Sequence, residues 1–560
     1  MKKRIKYVFL FFLCALCGSC QSKKEDQAKT DPAPRIINII NFIRKTDYRL
    51  NDSERLLFET VQEQIKLVKH YDFPATFLFQ YDALITKEYQ ELMKNELPPK
   101  CEIGAWWEIT QPHVEAAGIP WRGEHSWVST ANIAFTTGYT CEEREKLVDV
   151  YMDRFKGIFG YYPKSVGSWF IDSHTLAYLY EKYGIVASCN CKDQVGTDGY
   201  TLWGGYWNQA YYPSRKNAYM PAQTEEGQIP VPIFRMLGSD PLYQYDTGLG
   251  QSSQGVISLE PVYTSAGKDR KWVDYFLKSI VDEPCLAFNY AQAGQENSFT
   301  WSAMKDGLEM QFPLFDSLRK EGKIVVETLE SSGQWFRNKF PTTPATAVTT
   351  LTDVNEAGNK GVWYNSRYYR ANLFWSADGF RFRDIHLFDE SLESSYLTTP
   401  GTGHQFLYYT LPVIDGYFWS TSQELSGLKF VRMDKNGNKE EIALQNPVVT
   451  ELTASVLEVK CTDKNGHIFT ITLYEDRIDI KCKENDLKWI LELKVPKSRL
   501  DALPFQTYNE SSIQAVFRGH SYTIECKTGK INRGNSDDFI FQLIPVKGKL
   551  SINCFLSKNK

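Results

Sequence analysis

From Ile36 to Tyr290 short apolar runs alternate with stretches of helical period, and that alternation decides the class of fold. Ile36-Ile-Asn-Ile-Ile-Asn-Phe-Ile43 is apolar at nearly every position, the habit of a strand buried on both faces of a parallel sheet. It ends in the polar cluster Arg44-Lys-Thr-Asp47. Asn51-Asp-Ser53 predicts the start of a helix with Leu57, Val61, Ile65 and Val68 on one face. Ala75–Gln80 is the next strand, running into Tyr81-Asp82, and a short helix over Glu88–Lys94 leads to a third, Cys101–Trp106, which runs into Trp107-Glu108. Thr140-Cys-Glu-Glu143 is a capping box for a helix carrying Leu147, Tyr151, Phe155 and Ile158 and closed by Gly160. Within Lys164–Arg215 an apolar run, Ser165–Ile171, ends on Asp172; Ser173 can cap a helix, and Gly184 turns the chain into a strand over Ile185–Ser188. Val231–Met236, Gly255–Leu259 and Cys285–Tyr290 are further apolar runs, so that seven strand–helix units end near Phe340.

The chain after this half has a different period. Pro341–Thr350 has linker composition, and the runs Ile468–Leu473, Arg477–Cys482, Trp489–Val495, Tyr522–Cys526 and Phe539–Ile544 alternate with period two. Asn436-Gly437 and Asn465-Gly466 are hairpin dipeptides between such runs. The expected class is α/β: residues 35–340 an irregular seven-stranded β/α barrel, 341–350 a linker, and 351–560 an antiparallel β-sandwich.

Residues 1–19 read as an export signal. Lys2 to Lys6 is basic, Tyr7–Leu16 is an apolar core too short to span comfortably, and Cys17-Gly-Ser-Cys20 follows. The segment resembles a bacterial lipoprotein signal, which makes Cys20 the lipidated residue and residues 20–34 a charged, proline-containing tether; Cys17 stands where an aliphatic residue is commonest, and a plain secretory peptide is the other reading. The resemblance implies an outer-membrane protein held by its lipid alone, facing the periplasm or the surface. Signs are interspersed around a net charge of −4 with no Lys/Arg stripe, which argues against nucleic acid as a partner. Nine cysteines beyond Cys20 are scattered, an odd number expected to be mostly buried thiols with room for one or two disulfides. Aromatic residues make up 14% of the chain, and Trp and Tyr beyond core needs stack on sugar rings.

Phe73-Pro-Ala-Thr-Phe77, Glu102-Ile-Gly104 and Phe159-Gly-Tyr-Tyr-Pro163, in that order and spacing, resemble segments of the polysaccharide-deacetylase and related glycoside-hydrolase barrels. The whole chain also looks like a little-characterised group of Gram-negative surface lipoproteins with a barrel and a β-sandwich. The resemblance implies a carbohydrate substrate, oligo- or polysaccharide. In the deacetylases it also implies a divalent metal held by a first-strand Asp and two His after the third strand. Here the first strand ends Phe42-Ile43-Arg44 and the third Trp106-Trp107-Glu108-Ile-Thr-Gln-Pro-His113, so those ligands do not carry over and no cofactor is expected, with a divalent metal left open.

Without the His pair, carboxylates at strand ends are the chemical tools: Asp47, Asp82, Glu108, Asp172, Asp240, Glu260 and Glu296. Asp172 is the expected nucleophile or base, Glu108 the general acid because Trp107 and Ile109 flank it, and Asp240 the reserve for either role. Trp107, Arg122, Asp193, Asp198, Trp203, Tyr212, Arg215, Glu260 and Glu296 are the expected substrate contacts, with His125, Trp127 and Trp207 behind them. Cys189-Asn-Cys191 with His174 lacks further ligands at metal spacing. The function expected is glycoside hydrolysis by two carboxylates. A non-catalytic glycan binder, and a deacetylase with an unusual site, are the alternatives.

Overall fold

A computed structural model of the chain describes residues 32–433, 438–484, 487–534 and 539–556. The segment expected to be an export signal, Cys20, and the expected turn at Asn436-Gly437 lie outside the described residues. Barrel and sandwich belong to one unit spanning Ala33–Lys560.

The strands of the first half are β1 (Arg35–Ile43), β2 (Thr76–Phe79), β3 (Glu102–Trp106), β4 (Ser165–Gly167), β5 (Ala187–Asn190), β6 (Gln194–Thr197), β7 (Tyr200–Trp203), β8 (Ala210–Tyr211), β9 (Ile233–Arg235), β10 (Asn289–Ala293) and β11 (Val325–Glu327), of which β6 and β7 form a small sheet apart from the barrel. Seven of them run parallel in the order β10-β1-β2-β3-β4-β5-β9, with β8 antiparallel on the β9 edge and β11 beside the first half of β1. The sheet is nearly closed. Side chains span the gap between β9 and β10: Gln292 accepts from the Leu237 N–H at 2.8 Å, and Gln209 donates to Asn289 at 2.9 Å.

Alternation along each strand divides the apolar residues into two layers. Ile37, Ile39, Ile43, Phe77, Phe79, Ile103, Ala105 and Trp107 face the helices, whereas Ile36, Ile40, Phe42, Leu78, Trp106, Trp169 and Cys189 fill the barrel. Crowding inside requires glycine on β4, where a Cβ on Gly167 would lie 2.5 Å from Leu78 and 2.7 Å from Cys189. The inward series continues past the strand ends. On β1 it reads Ile40, Phe42, Arg44; on β2, Leu78, Gln80; on β3, Trp106, Glu108; on β10, Gln292, Gly294, Glu296. The top layer is therefore polar.

The capping box at Thr140 and Glu143 forms both of its bonds, and Gly160 closes that helix (Cys141–Phe159) in the left-handed conformation. Two sequence expectations are corrected. Gly255–Leu259 is not a strand: its β pairing is one isolated bridge, Ser239 to Ser258, and the chain between β5 and β9 builds β6–β8 instead. Thr346–Thr350, expected as linker, is a fully buried strand, where the β-branched residues pair with Lys360–Asn365.

The second half is two antiparallel sheets facing one apolar core, and the strands Ile468–Leu473 and Arg477–Cys482 have the bounds read from the sequence. One strand of this half, Phe406–Tyr409, leaves it to pair in parallel with β7 of the barrel.

Candidate functional site

At the carboxyl mouth of the barrel Arg44, Glu108 and Glu296 enclose a cavity of about 40 Å³ with Arg49, Trp127, Ser129, Ala134, Phe135, Trp169 and Asp198. That is room for about three water molecules at the ~10–15 Å³ each needs, so the segment carrying Trp127–Phe135 is a roof that a sugar would have to displace. Phe42, Trp106 and Trp169 form the floor, the first two stacked with centroids 4.2 Å apart.

Arg44 organises the site. It grips Glu108 through Nε at 2.9 Å and Nη2 at 2.7 Å, and its Nη1 lies 3.0 Å from Glu296 Oε2 and 3.1 Å from Ser298 Oγ. The Trp127 ring covers it, 4.2 Å from the guanidinium. Burial opposes its charge, but Glu108 and Glu296 outweigh that and raise its pKa above the ordinary value. Glu108 also accepts from Gln80 Nε2 at 3.0 Å and Trp169 Nε1 at 2.7 Å. Four donors and no acceptor surround it, the setting of a clamped carboxylate rather than a proton donor. The role of general acid expected for Glu108 does not fit this setting.

Glu296 is built differently. Its Oε2, buried and close to Arg44, is out of line for a hydrogen bond and has no such partner. Burial pushes its carboxyl up to about 7; Arg44 opposes this, and the charges of Glu108 and Asp198 add to it. Asp198 sits at the rim at the tip of the β6–β7 hairpin, with φ +50°, and accepts no hydrogen bond among the described residues. The protein bulk around it raises its pKa even though its own surface is exposed. The mouth thus holds two carboxyls of unequal burial, Glu296 ion-paired to Arg44 and Asp198 without a hydrogen bond among the described residues.

The other expected residues are placed elsewhere. Asp172 is 2% exposed and does not line the cavity; it caps the helix Ser173–Tyr183, in place of Ser173, through the Thr175 N–H at 2.9 Å, accepts from Thr136 Oγ1 at 2.7 Å, and pairs with Arg144 at 2.9 Å. Burial alone would raise its pKa, but Arg144 and these donors hold it below the usual value. Asp240 caps a turn, accepting from the Leu242 and Tyr243 N–H groups and from Trp272 Nε1 at 2.7 Å. Neither lines the cavity, and each carboxylate is consumed by these partners. Trp107, one residue out of phase with the inward series, packs in the helix layer against Tyr151 and His113.

Asp193 is buried against Tyr219, Arg235, the Gly204 N–H and Arg370 of the sandwich, a charge network joining the two halves. Trp203 donates to Asp415 at 3.0 Å in that same interface, and Trp207 stacks on Trp363 at 3.8 Å. Tyr212 donates to the Phe340 carbonyl, Arg215 pairs with Glu181 on the surface, and Arg122 holds the roof through the carbonyls of Asn132 and Gly138. Glu260 accepts from Gln295 at 2.9 Å and Ser258 at 2.7 Å behind Glu296, its pKa raised by burial. Asp47 is clamped by Arg49, and Asp82, inside the short helix Tyr81–Ile85, accepts from the Ala83 N–H, its carboxyl pushed up to about 6 by burial. His125 stacks on Tyr48 at the rim, centroids 4.4 Å apart. Arg44, Arg49, Trp169 and Tyr48 are among the site residues the sequence reading missed; period-two counting from Ile40 finds the first.

The divalent metal that the resemblance implies does not fit these residues. The Arg44 guanidinium fills the top layer between β1 and β3, and among the described residues no three His, Cys, Asp or Glu side chains gather as ligands would. His113 is turned into the helix layer, bonded to the Leu147 carbonyl at 2.8 Å and held neutral by burial, its pKa lowered to about 4. Cys189 and Cys191 are buried thiols, His174 pairs with Glu145, and all nine described cysteines are free.

The fold has solved counterparts. A putative glycoside hydrolase/deacetylase from Parabacteroides distasonis superposes with a TM-score of 0.51 at 15% identity, over 68% of this chain and 90% of that one. A putative polysaccharide deacetylase from Mycobacterium smegmatis has a TM-score of 0.36 at 12% identity, over 56% and 95%. A probable polysaccharide deacetylase from Pseudomonas aeruginosa PAO1 has 0.34 at 12%, over 56% and 96%. No family model and no curated protein sequence matches the chain. At these identities the likeness is one of fold.

Proposed function

We propose, on the premise of that shared barrel fold, that the protein is a carbohydrate-acting hydrolase that cleaves a glycosidic bond with two carboxyl groups, Glu296 as proton donor and Asp198 as its ionised counterpart. The observation that carries this is Glu296: a buried carboxyl that lines the cavity beside Arg44 and whose pKa burial raises to about 7. In the reaction the C–O bond of the leaving sugar breaks as Glu296 gives its proton to the glycosidic oxygen. Water adds to the anomeric carbon, with Asp198 taking its proton or first holding the sugar, and the Glu296 carboxyl is restored as that proton returns through water. The Arg44–Glu108 ion pair fixes where Glu296 sits. The anchoring of the chain through a lipid on Cys20 belongs to the same proposal, and labelled-palmitate incorporation that is lost in Cys20→Ala tests it.

The test is a panel of aryl glycosides and natural oligosaccharides, with wild type beside Glu296→Gln and Asp198→Asn. Sugar release by wild type, reduced a hundredfold or more in both variants, is expected. Acetate release is scored on acetylated sugars in the same wells, because the Parabacteroides structure carries both names. Acetate without sugar, or binding without either product, overturns the glycosidase reading.

A further inference from the structure

The segment Tyr396–Tyr409 belongs by sequence to the sandwich half but bonds to both the roof and the β6–β7 hairpin of the barrel mouth. Arg144 on the helix Cys141–Phe159 is fully buried and donates to the carbonyls of Tyr396 (2.9 Å) and Leu397 (3.2 Å), to the Tyr139 carbonyl (2.8 Å) and to Asp172 (2.9 Å). Further along, the Gly401 N–H donates to the Thr137 carbonyl at 2.8 Å, Asn132 Nδ2 to Thr402, and the Ala131 N–H to His404. All three barrel partners lie in the roof, whose Ser129, Ala134 and Phe135 line the cavity. The Phe406 N–H then donates to the Gly199 carbonyl at 2.9 Å, and Phe406–Tyr409 pairs with Tyr200–Trp203. Gly199 follows Asp198 directly. Its φ is +77°, and a Cβ there would lie 3.0 Å from the Ser129 carbonyl oxygen and 3.1 Å from that of His404. Hairpin, roof and sandwich segment therefore converge at one glycine.

We infer that Tyr396–Tyr409 is a strap by which the sandwich half positions both the roof and Asp198, with Arg144, Asp172 and Gly199 as positioning residues. Asp172 orients the Arg144 guanidinium, Arg144 holds the two strap carbonyls, and the strap sets the hairpin that presents Asp198. The strap also bears on access, since a sugar enters only as the roof parts from it. The geometric part stands by itself; only its consequence for catalysis rests on the proposed hydrolase reading.

Hydrogen–deuterium exchange on the full chain tests it, comparing wild type with Gly199→Ala and with the charge-balanced double variant Arg144→Met/Asp172→Asn, which leaves no unpaired buried charge. Exchange at least tenfold faster in peptides covering residues 125–138 and 194–203, with Ser53–His70 and Trp301–Lys320 unchanged, is expected of both. On a glycan that wild type cleaves, kcat per folded enzyme, with the folded fraction measured on the same sample, falls tenfold or more and KM stays within twofold. Unchanged exchange in the two segments overturns the strap, and so does exchange that rises equally in the barrel helices. The expected exchange pattern with no sugar released by wild type supports the strap and counts against the hydrolase reading alone.

Discussion

Glu102→Gln turns one buried carboxyl into a measurable dependence of stability on pH. Glu102 is the lowest inward residue of β3, accepting from the Ser165 hydroxyl, from Thr76 Oγ1 at 3.0 Å and from the Glu330 N–H at 2.9 Å. Burial pushes its carboxyl from the ordinary 4.5 up to about 7, against those three donors. Because the folded value is the higher one, its contribution to stability is complete below pH 4.5 and is lost as pH rises through about 7. The interval of about 2.5 pH units, at about 1.36 kcal/mol each, amounts to about 3 kcal/mol. Glutamine keeps the bonds, its carbonyl accepting from Thr76 and Glu330 and its amide donating to a reversed Ser165 hydroxyl, and it has no charge to lose. Urea unfolding followed by tryptophan fluorescence at pH 5, 6, 7 and 8 should show wild type falling below the variant by an amount that grows by about 2–3 kcal/mol across that range. Glu296 titrates in both proteins and cancels from the difference. Parallel curves for the two proteins from pH 5 to 8 would refute the reasoning.

Two other outcomes follow from the mouth. Arg44→Met strands Glu108 and Glu296 in a buried site and should cost about 3–5 kcal/mol in the same unfolding assay, part of which Arg44→Met/Glu108→Gln recovers; equal losses in both would mean the ion pair is not what holds the layer. Tyr48, 45% exposed beside the cavity with one face on His125, offers its other face to a neighbouring sugar unit. Tyr48→Ala should therefore raise KM several-fold for an oligosaccharide while leaving an aryl monoglycoside unaffected, and a uniform effect on both would count against that placement.

The backbone was legible where one short-range cause dominates. The capping box at Thr140, the left-handed glycine at 160 and the period-two strands of the sandwich depend on residues a few positions apart, and they stand where the sequence puts them. The top layer of the mouth was partly legible, since counting in twos from Ile40, Trp106 and Gln292 arrives at Arg44, Glu108 and Glu296 and passes over Trp107. What the chain alone does not show is who pairs with whom. Asp172 and Glu108 are equally acidic residues after equally apolar runs, and only the approach of Arg144 to one and of Arg44 to the other distinguishes a cap from a site. Asp193 reads as a sugar contact until Arg370, 177 positions away, closes on it from the other half of the chain.

The central claim is that Glu296 delivers the proton, and the pH dependence of kcat/KM tests it most directly, since that quantity reports groups of the free enzyme. The acid must carry its proton to act, so on a glycan that wild type cleaves the rate should fall as pH rises through about 7, with Glu296→Gln losing both the activity and that limb. Activity that stays level or climbs from pH 7 to 9, or a Glu296→Gln enzyme that keeps the wild-type rate, would contradict it.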